Sequence, residues 1–292
     1  MTKEKGKWKR LRGSKFQIKE LIIAREALHQ AVQLVASAAR SFSPKSEGDE
    51  FGSLMWSVDQ EALISQTIQS DKKYFVALHI KKLTLSIYKK NGKKVDNFSL
   101  KNKTHKQAQD WLVNSLNEIG FNEKDISFEL PYEIPEYAIA KEGKYQYRSK
   151  DAFRELSRLY HNAYIALTSI NNKLNSTLEI KCWPHHFDIA FLMIKEVHSD
   201  PEKAKSIGVG LSPGDVHYNE PYFYITPWPY PKMDNNDLPE LKGKGEWHTD
   251  NWVGAILRYS QIIKKGSAKG QFKRVMDFLL SGISQNETLL KE

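Results

Sequence analysis

The chain has 292 residues, 40% of them hydrophobic and 11% aromatic, which suffices for a sizeable core in one large domain or two fused halves. A single cysteine, Cys182, excludes an intrachain disulfide framework, and neither a signal-type apolar core near the start nor a run of about 18 apolar residues occurs, so a soluble, unexported, cytoplasmic protein is expected. The formal charge is +9, but eight Lys/Arg against Glu4 and Glu20 place +6 of it in the first twenty residues, which points to a basic tail over 1–15 rather than a basic body.

Over 16–39 the spacing of Ile18, Leu21, Ile22, Leu28, Val32 and Val35 predicts one long amphipathic helix, with Ser14 as its N-cap. Residues 41–52, with Pro44 and Gly48, read as a loop. Extended segments follow at 53–58, 63–69 and 74–79. A hairpin then places Leu83, Leu85 and Ile87 before the Asn91-Gly92 turn, with a return strand over 95–100. Thr104 caps a helix over 105–119 that Gly120 ends. Residues 121–150 hold Pro131, Pro135 and Gly143 and read as an irregular crossover.

The pattern then restarts with a helix over 151–174 and strands over 178–183, 185–194, 207–211 and 222–227. A polar loop over 233–245 and helices over 252–265 and 271–283 follow, with a short tail at 284–292. Helix, β-meander, helix thus appears twice. The expected fold is α+β, with halves 16–120 and 151–283 inside one domain, 16–283, and mostly antiparallel sheet covered by helices.

No nucleophile elbow, phosphate loop, zinc spacing or dinucleotide fingerprint occurs, so the sequence spells out no reaction and leaves the cofactor unknown. The chemistry-bearing residues gather instead between Trp183 and Pro231. Read as a strand, 185–194 puts His186 and Asp188 on one largely apolar face, where a carboxylate is costly unless paired. Ser212-Pro213-Gly214-Asp215 has Pro and Gly where a type II turn needs them, and the loop it opens carries Asp215, His217 and Glu220. In the next strand Tyr222, Tyr224 and Trp228 share one parity, Phe223, Ile225 and Pro227 the other. One set fills the core and the other forms a wall on which a ligand can stack.

Trp183, Phe187-Asp188, Pro213-Gly214 and Glu220-Pro221-Tyr222-Phe223-Tyr224 together resemble a bacterial protein family that is a domain of unknown function, over roughly 16–283. The resemblance implies an architecture and no activity, and it favours Asp188 and Glu220 over the His185-His186 pair as the polar centre of the site. Three functions compete. The first is binding of a small polar ligand by Trp183, His186, Asp215, Tyr222, Tyr224 and Trp228 around Asp188 and Glu220. The second is hydrolysis with Asp188 or Glu220 as general base and His186 assisting, with or without a metal ion. The third is an interaction protein whose basic tail touches nucleic acid or an acidic partner. The sequence names neither the ligand nor an oligomeric state.

Overall fold

The computed structural model describes residues 6–44, 52–200, 203–231 and 238–291. The expected loops at 41–52 and 233–245 and the start of the basic tail fall partly outside them. The fold is α+β, with six helices and two antiparallel sheets of six strands each among the described residues. Its contacts divide the chain into two compact, interleaved units, one made of 14–157 with 181–187, the other of 1–13, 158–180 and 188–292.

The first unit contains α1 (Ile18–Phe42), β1 (Met55–Ser57), β2 (Ala62–Ile64), β3 (Ile68–Gln69), β4 (Lys73–His79), β5 (Thr84–Lys89), β6 (Lys94–Ser99), α2 (His105–Asn117) and α3 (Ala138–Lys141). Its sheet runs β1-β2-β4-β5-β6, with β3 also on β4, and α1 packs on β4 and β3. α1 starts later than Ser14 suggested: Gln17 is its N-cap, and the Glu20 carboxylate accepts from the Gln17 N–H at 2.7 Å. α1 is amphipathic only in its first half, where Leu21 and Ala24 are buried and Ile18 and Lys19 exposed; every residue from Ala27 to Ala39 is buried. That second half has no solvated side, and its His29, Gln30, Gln33 and Ser37 must find partners inside the protein. Thr104 caps α2 as expected, in a capping box with Gln107.

α4 (Lys150–Lys173) begins in the first unit and ends in the second, and β7 (Lys181–Trp183) belongs to the first. The second unit then holds β8 (Asp188–Glu196), β9 (Lys205–Ser212), β10 (Tyr222–Trp228), β11 (Glu246–His248), β12 (Gly254–Arg258), α5 (Tyr259–Ile263) and α6 (Ala268–Leu289). Its five strands lie in the order β11-β12-β10-β9-β8, with α6 packed on β9, β10 and β12.

Three expectations change here. The segment read as a helix over 252–265 is strand β12 followed by the short α5; Ile256 and Leu257 are both fully buried, so a strand covered on both faces lacks the alternation that would reveal it. α6 continues past Ile283 to Leu289 and is no tail, because Asn286, Leu289 and Leu290 are buried. The described part of the basic tail is docked rather than solvated. Leu11 is 2% exposed, and Trp8 packs its ring against Phe272 at 5.5 Å.

Candidate functional site

The strand expected from residue 185 begins at Asp188. Residues 184–187 form a turn, closed by the Phe187 N–H donating to the Trp183 carbonyl at 2.7 Å, with Phe187 at φ +53°. A bulky residue adopts that conformation only when its surroundings impose it. In the first unit they do so from α1: His29 Nε2 and Gln33 Nε2 both donate to the Pro184 carbonyl, at 3.0 and 2.8 Å, and the His29 ring stacks on Phe187 at 5.5 Å. A carbonyl only accepts, so His29 carries its proton on Nε2 and its Nδ1 accepts from Tyr137 Oη at 2.8 Å. Burial then lowers the His29 pKa to about 4 and keeps the ring neutral.

The turn breaks the expected alternation, so His186 and Asp188 do not share a strand face. His186 is exposed on the turn, its ring 4.2 Å from that of His185, and the His185 pKa falls to about 4 through burial and the neighbouring His186. Trp183 lies near the same pair, its ring 6.2 Å from His185, with Lys181 above its face. Trp183 and His186 therefore belong to the first unit, and the site below is built without them.

In the second unit, strand register sets the site. Ala190 pairs with Gly210, Gly210 with Tyr224, Tyr224 with Ile256 and Ile256 with Glu246, so these five point to one face of the sheet. Along the strands the same face carries Asp188, Ser212, Tyr222 and Arg258 at one end and Leu192, Gly208, Thr226, Gly254 and His248 at the other. The opposite face carries Ile189, Phe191, Val209, Leu211, Phe223, Ile225, Ala255 and Leu257, nearly all fully buried. Thus Phe223 and Ile225 fill the apolar layer, and the tyrosines lie on the other face, which is also largely covered, with Ile256 and Tyr222 buried and Tyr224 half-buried.

On the tyrosine face, two phenol–carboxylate pairs stand side by side. Tyr224 Oη donates to Asp188 Oδ2 and Tyr222 Oη donates to Asp215 Oδ2, both through short hydrogen bonds, with the two rings edge to face at 6.4 Å. Asp188 is only 7% exposed. Burial raises the Tyr222 pKa far above its ordinary value, and the charges of Asp215 and Asp188 raise it further, so this phenol stays a neutral donor facing two carboxylates.

The floor beneath Tyr224 is made of glycine for a steric reason. A Cβ on Gly210 would meet Ala190 Cβ at 2.6 Å, Ile189 O at 2.7 Å and Tyr224 Oη at 2.8 Å. Only a residue without a side chain lets the Tyr224 ring cross β9 to reach Asp188.

Asp215 also organises its own loop. Its Oδ1 accepts from the N–H groups of His217 and Tyr218 at 2.8 and 3.0 Å, and Gly214 before it has φ +101°, the positive value expected after Pro213. That loop brings Tyr218 against Tyr222, ring centroids 5.0 Å apart. Tyr218 in turn meets His248 Nδ1 at 2.8 Å. His248 Nε2 lies 2.6 Å from the Asp250 carbonyl, so it is the donor there and Nδ1 accepts from Tyr218; the His248 ring lies 4.2 Å from Trp252. Beside them, Arg258 contacts Glu246 at 2.6 and 3.1 Å, so its charge is matched. Trp228 lies further along the same face, edge to face with Tyr230.

Glu220 answers to another element. Its carboxylate accepts from the N–H and the hydroxyl of Ser260, at 2.6 and 2.9 Å, and so satisfies the open N-terminus of α5. The structure thus joins Asp188, Asp215, Tyr222 and Tyr224 and gives Glu220 a capping task. Tyr218, Glu246, His248, Trp252 and Arg258, which sequence reasoning left out, complete the row. Among the described residues no three His, Cys, Asp or Glu side chains gather as metal ligands would, and no described helix is long and apolar enough to cross a membrane. Comparison with protein families, curated proteins and solved structures finds no match to this chain.

Proposed function

We propose that the second unit binds a small polar ligand, rich in hydroxyls or carrying an ammonium group, on the tyrosine face of its sheet. The observation that carries this reading is the adjacent pair of phenol–carboxylate bonds, Tyr224 to Asp188 and Tyr222 to Asp215, laid over a glycine floor. A sheet face that served packing alone would carry apolar side chains, as the opposite face of these strands does. Carboxylates accept hydrogen bonds and attract cations, while they repel phosphates and carboxylic acids. With Arg258 matched by Glu246, the local balance is anionic, and Tyr218, Trp252 and Trp228 add aromatic surface suited to the flat face of a sugar or to a cation. A lone, buried Cys182 supports a cytoplasmic setting.

The test is a thermal-shift screen of polyols, sugars and amines against the intact chain and its Asp188→Asn variant, followed by calorimetric titration of any hit. A ligand at about 100 times its Kd raises stability by about 2.7 kcal/mol. Binding by the native chain that the variant loses supports the reading. A preference for phosphorylated or carboxylated compounds, or affinity that Asp188→Asn leaves intact, overturns it.

A further inference from the structure

Four cations of the basic surplus, Lys7, Lys9, Arg10 and Arg12, lie on a described segment that is fastened to the second unit. Two fully buried carboxamides of that unit hold it. Asn162 accepts from the Lys9 N–H and donates to the Lys9 carbonyl, both at 2.7 Å. Gln271 does the same for Leu11, at 2.9 and 3.0 Å. Each carboxamide thus satisfies one residue's N–H and C=O as a neighbouring strand would, at positions two apart. Residues 7–13 become a strap fixed to α4 and α6, with His161 Nε2 on the Lys7 carbonyl at one end and Gly13 against Ile263 at the other.

The strap lies where α5 passes into α6. Residues 5–19 contain no Asp or Glu, and neither do 251–276, the stretch that supplies both helices' contacts to the strap. Folding therefore brings two acid-free segments together. Lys7 and Arg10 on the strap and Lys264, Lys265 and Lys269 on the α5–α6 turn and the first turn of α6 are all exposed. Lys269 stands two residues before Gln271, and Arg10 one residue before the Leu11 that Gln271 clamps. Of the apolar residues of this region Leu11, Ile262 and Val275 are buried, and Trp8, Ile263 and Phe272 are half-buried, the rings of Trp8 and Phe272 packed on each other at 5.5 Å.

We propose that this face, formed by the strap and the start of α6, is a docking surface for the phosphodiester backbone of a nucleic acid. A fixed array of cations from two chain segments gains affinity by releasing counterions from a regularly spaced row of phosphates. It pays no ordering cost, because the two carboxamides already hold the strap. A membrane surface is the poorer fit, since peripheral binding needs fully exposed large apolar side chains to insert, and those here are buried or packed against one another. The site is separate from the tyrosine face and does not depend on the ligand reading.

Fluorescence anisotropy with a labelled DNA duplex and a labelled single-stranded RNA tests it on the intact chain. With four or five phosphate contacts, log K should fall with log salt at a slope of about −4 for the duplex. The triple variant Lys264→Ala, Lys265→Ala, Lys269→Ala should weaken binding at least ~30-fold near 0.1 M salt and make the slope shallower by about three. A matched triple on the first unit, Lys81→Ala, Lys82→Ala, Lys124→Ala, should leave affinity within about twofold and serves as the control for net charge. Circular dichroism of both variants confirms that they fold; if the test triple does not, Arg10→Ala alone should still lower the slope by about one. The proposal is overturned by no binding of either nucleic acid at low salt, by equal losses in the two triples, or by tighter capture on phosphatidylserine vesicles or polyglutamate than on nucleic acid.

Discussion

Two polar clusters, the one around His29 in the first unit and the one around Asp188 in the second, differ in the bonds that define them. In the first unit His29 and Gln33 both donate to one backbone carbonyl, that of Pro184, Gln33 donating to the His29 carbonyl as well, and so hold a turn in a conformation its own residues would not choose. In the second, Asp188 and Asp215 each accept a hydrogen bond from a phenol of β10, that of Tyr224 reaching across β9. Side chain to backbone bonds fix a chain path. Side chain to side chain bonds on a sheet face, over glycines, fix a constellation of acceptors and donors that a ligand can exchange for its own groups. The contrast ties His29 to the path of the 184–187 turn, while the proposed ligand reading rests on Asp188 and Asp215 and stands or falls with them.

The largest effect that can break this contrast lies at His29. His29→Ala removes a stacked ring and two buried hydrogen bonds and should cost about 3 kcal/mol, read as a shift of the urea midpoint, without touching the tyrosine face. Acid should act in the same place. The His29 pKa is lowered from 6.5 to about 4 in the fold, chiefly by burial, so between those values the unfolded chain is protonated and the folded chain is not. The stabilisation is full above pH 6.5 and is lost as pH falls toward 4, at up to about 1.4 kcal/mol per pH unit for one such group. His105, also held near 4 by burial, adds in the same direction. A stability profile flat from pH 7 to 4.5 would contradict the buried, neutral assignment.

Next in size is Gly210→Ala, for which overpacking against Ala190, Ile189 and Tyr224 should cost about 2 kcal/mol and displace the Tyr224 hydroxyl from Asp188. Ligand binding should be lost with it. Asp188→Asn sharpens the point, because it keeps the shape and one acceptor; its stability should stay within about 1 kcal/mol of the native chain while binding disappears. A loss on the order of 3 kcal/mol would instead make Asp188 an anchor of the sheet.

What the sequence made legible follows from how local each cause is. The parity of Tyr222 and Tyr224 against Phe223 and Ile225 is a property of seven consecutive residues, and the strand keeps it. The positive φ of Gly214 after Pro213 is equally local. The turn at residues 184–187 was not legible, because its alternating residues suit a strand and the groups that prevent one, His29 and Gln33, lie about 150 residues earlier. The strap was hidden for another reason. Its side chains announce solvent, but it is held by its backbone, and composition carries no information about which N–H meets Gln271 or Asn162. β12 escaped notice since burial on both faces erases the period that marks a half-buried strand.

The smallest predicted effect separates the two carboxylates that sequence reasoning placed together. Glu220 holds the Ser260 N–H and hydroxyl at the start of α5, and α5 leads into the turn that carries Lys264 and Lys265. Glu220→Gln keeps one oxygen able to accept from Ser260 and removes the charge, so only the difference between a charged and a neutral cap is lost, about 0.5 kcal/mol at a half-buried helix end. Affinity for a ligand on the tyrosine face should not change, because neither bond of Glu220 reaches Asp188, Asp215 or their tyrosines. Calorimetric titration of Glu220→Gln beside Asp188→Asn measures both. A tenfold loss of affinity in the Glu220 variant, with stability preserved, would return Glu220 to the site and extend the acidic face to the start of α5.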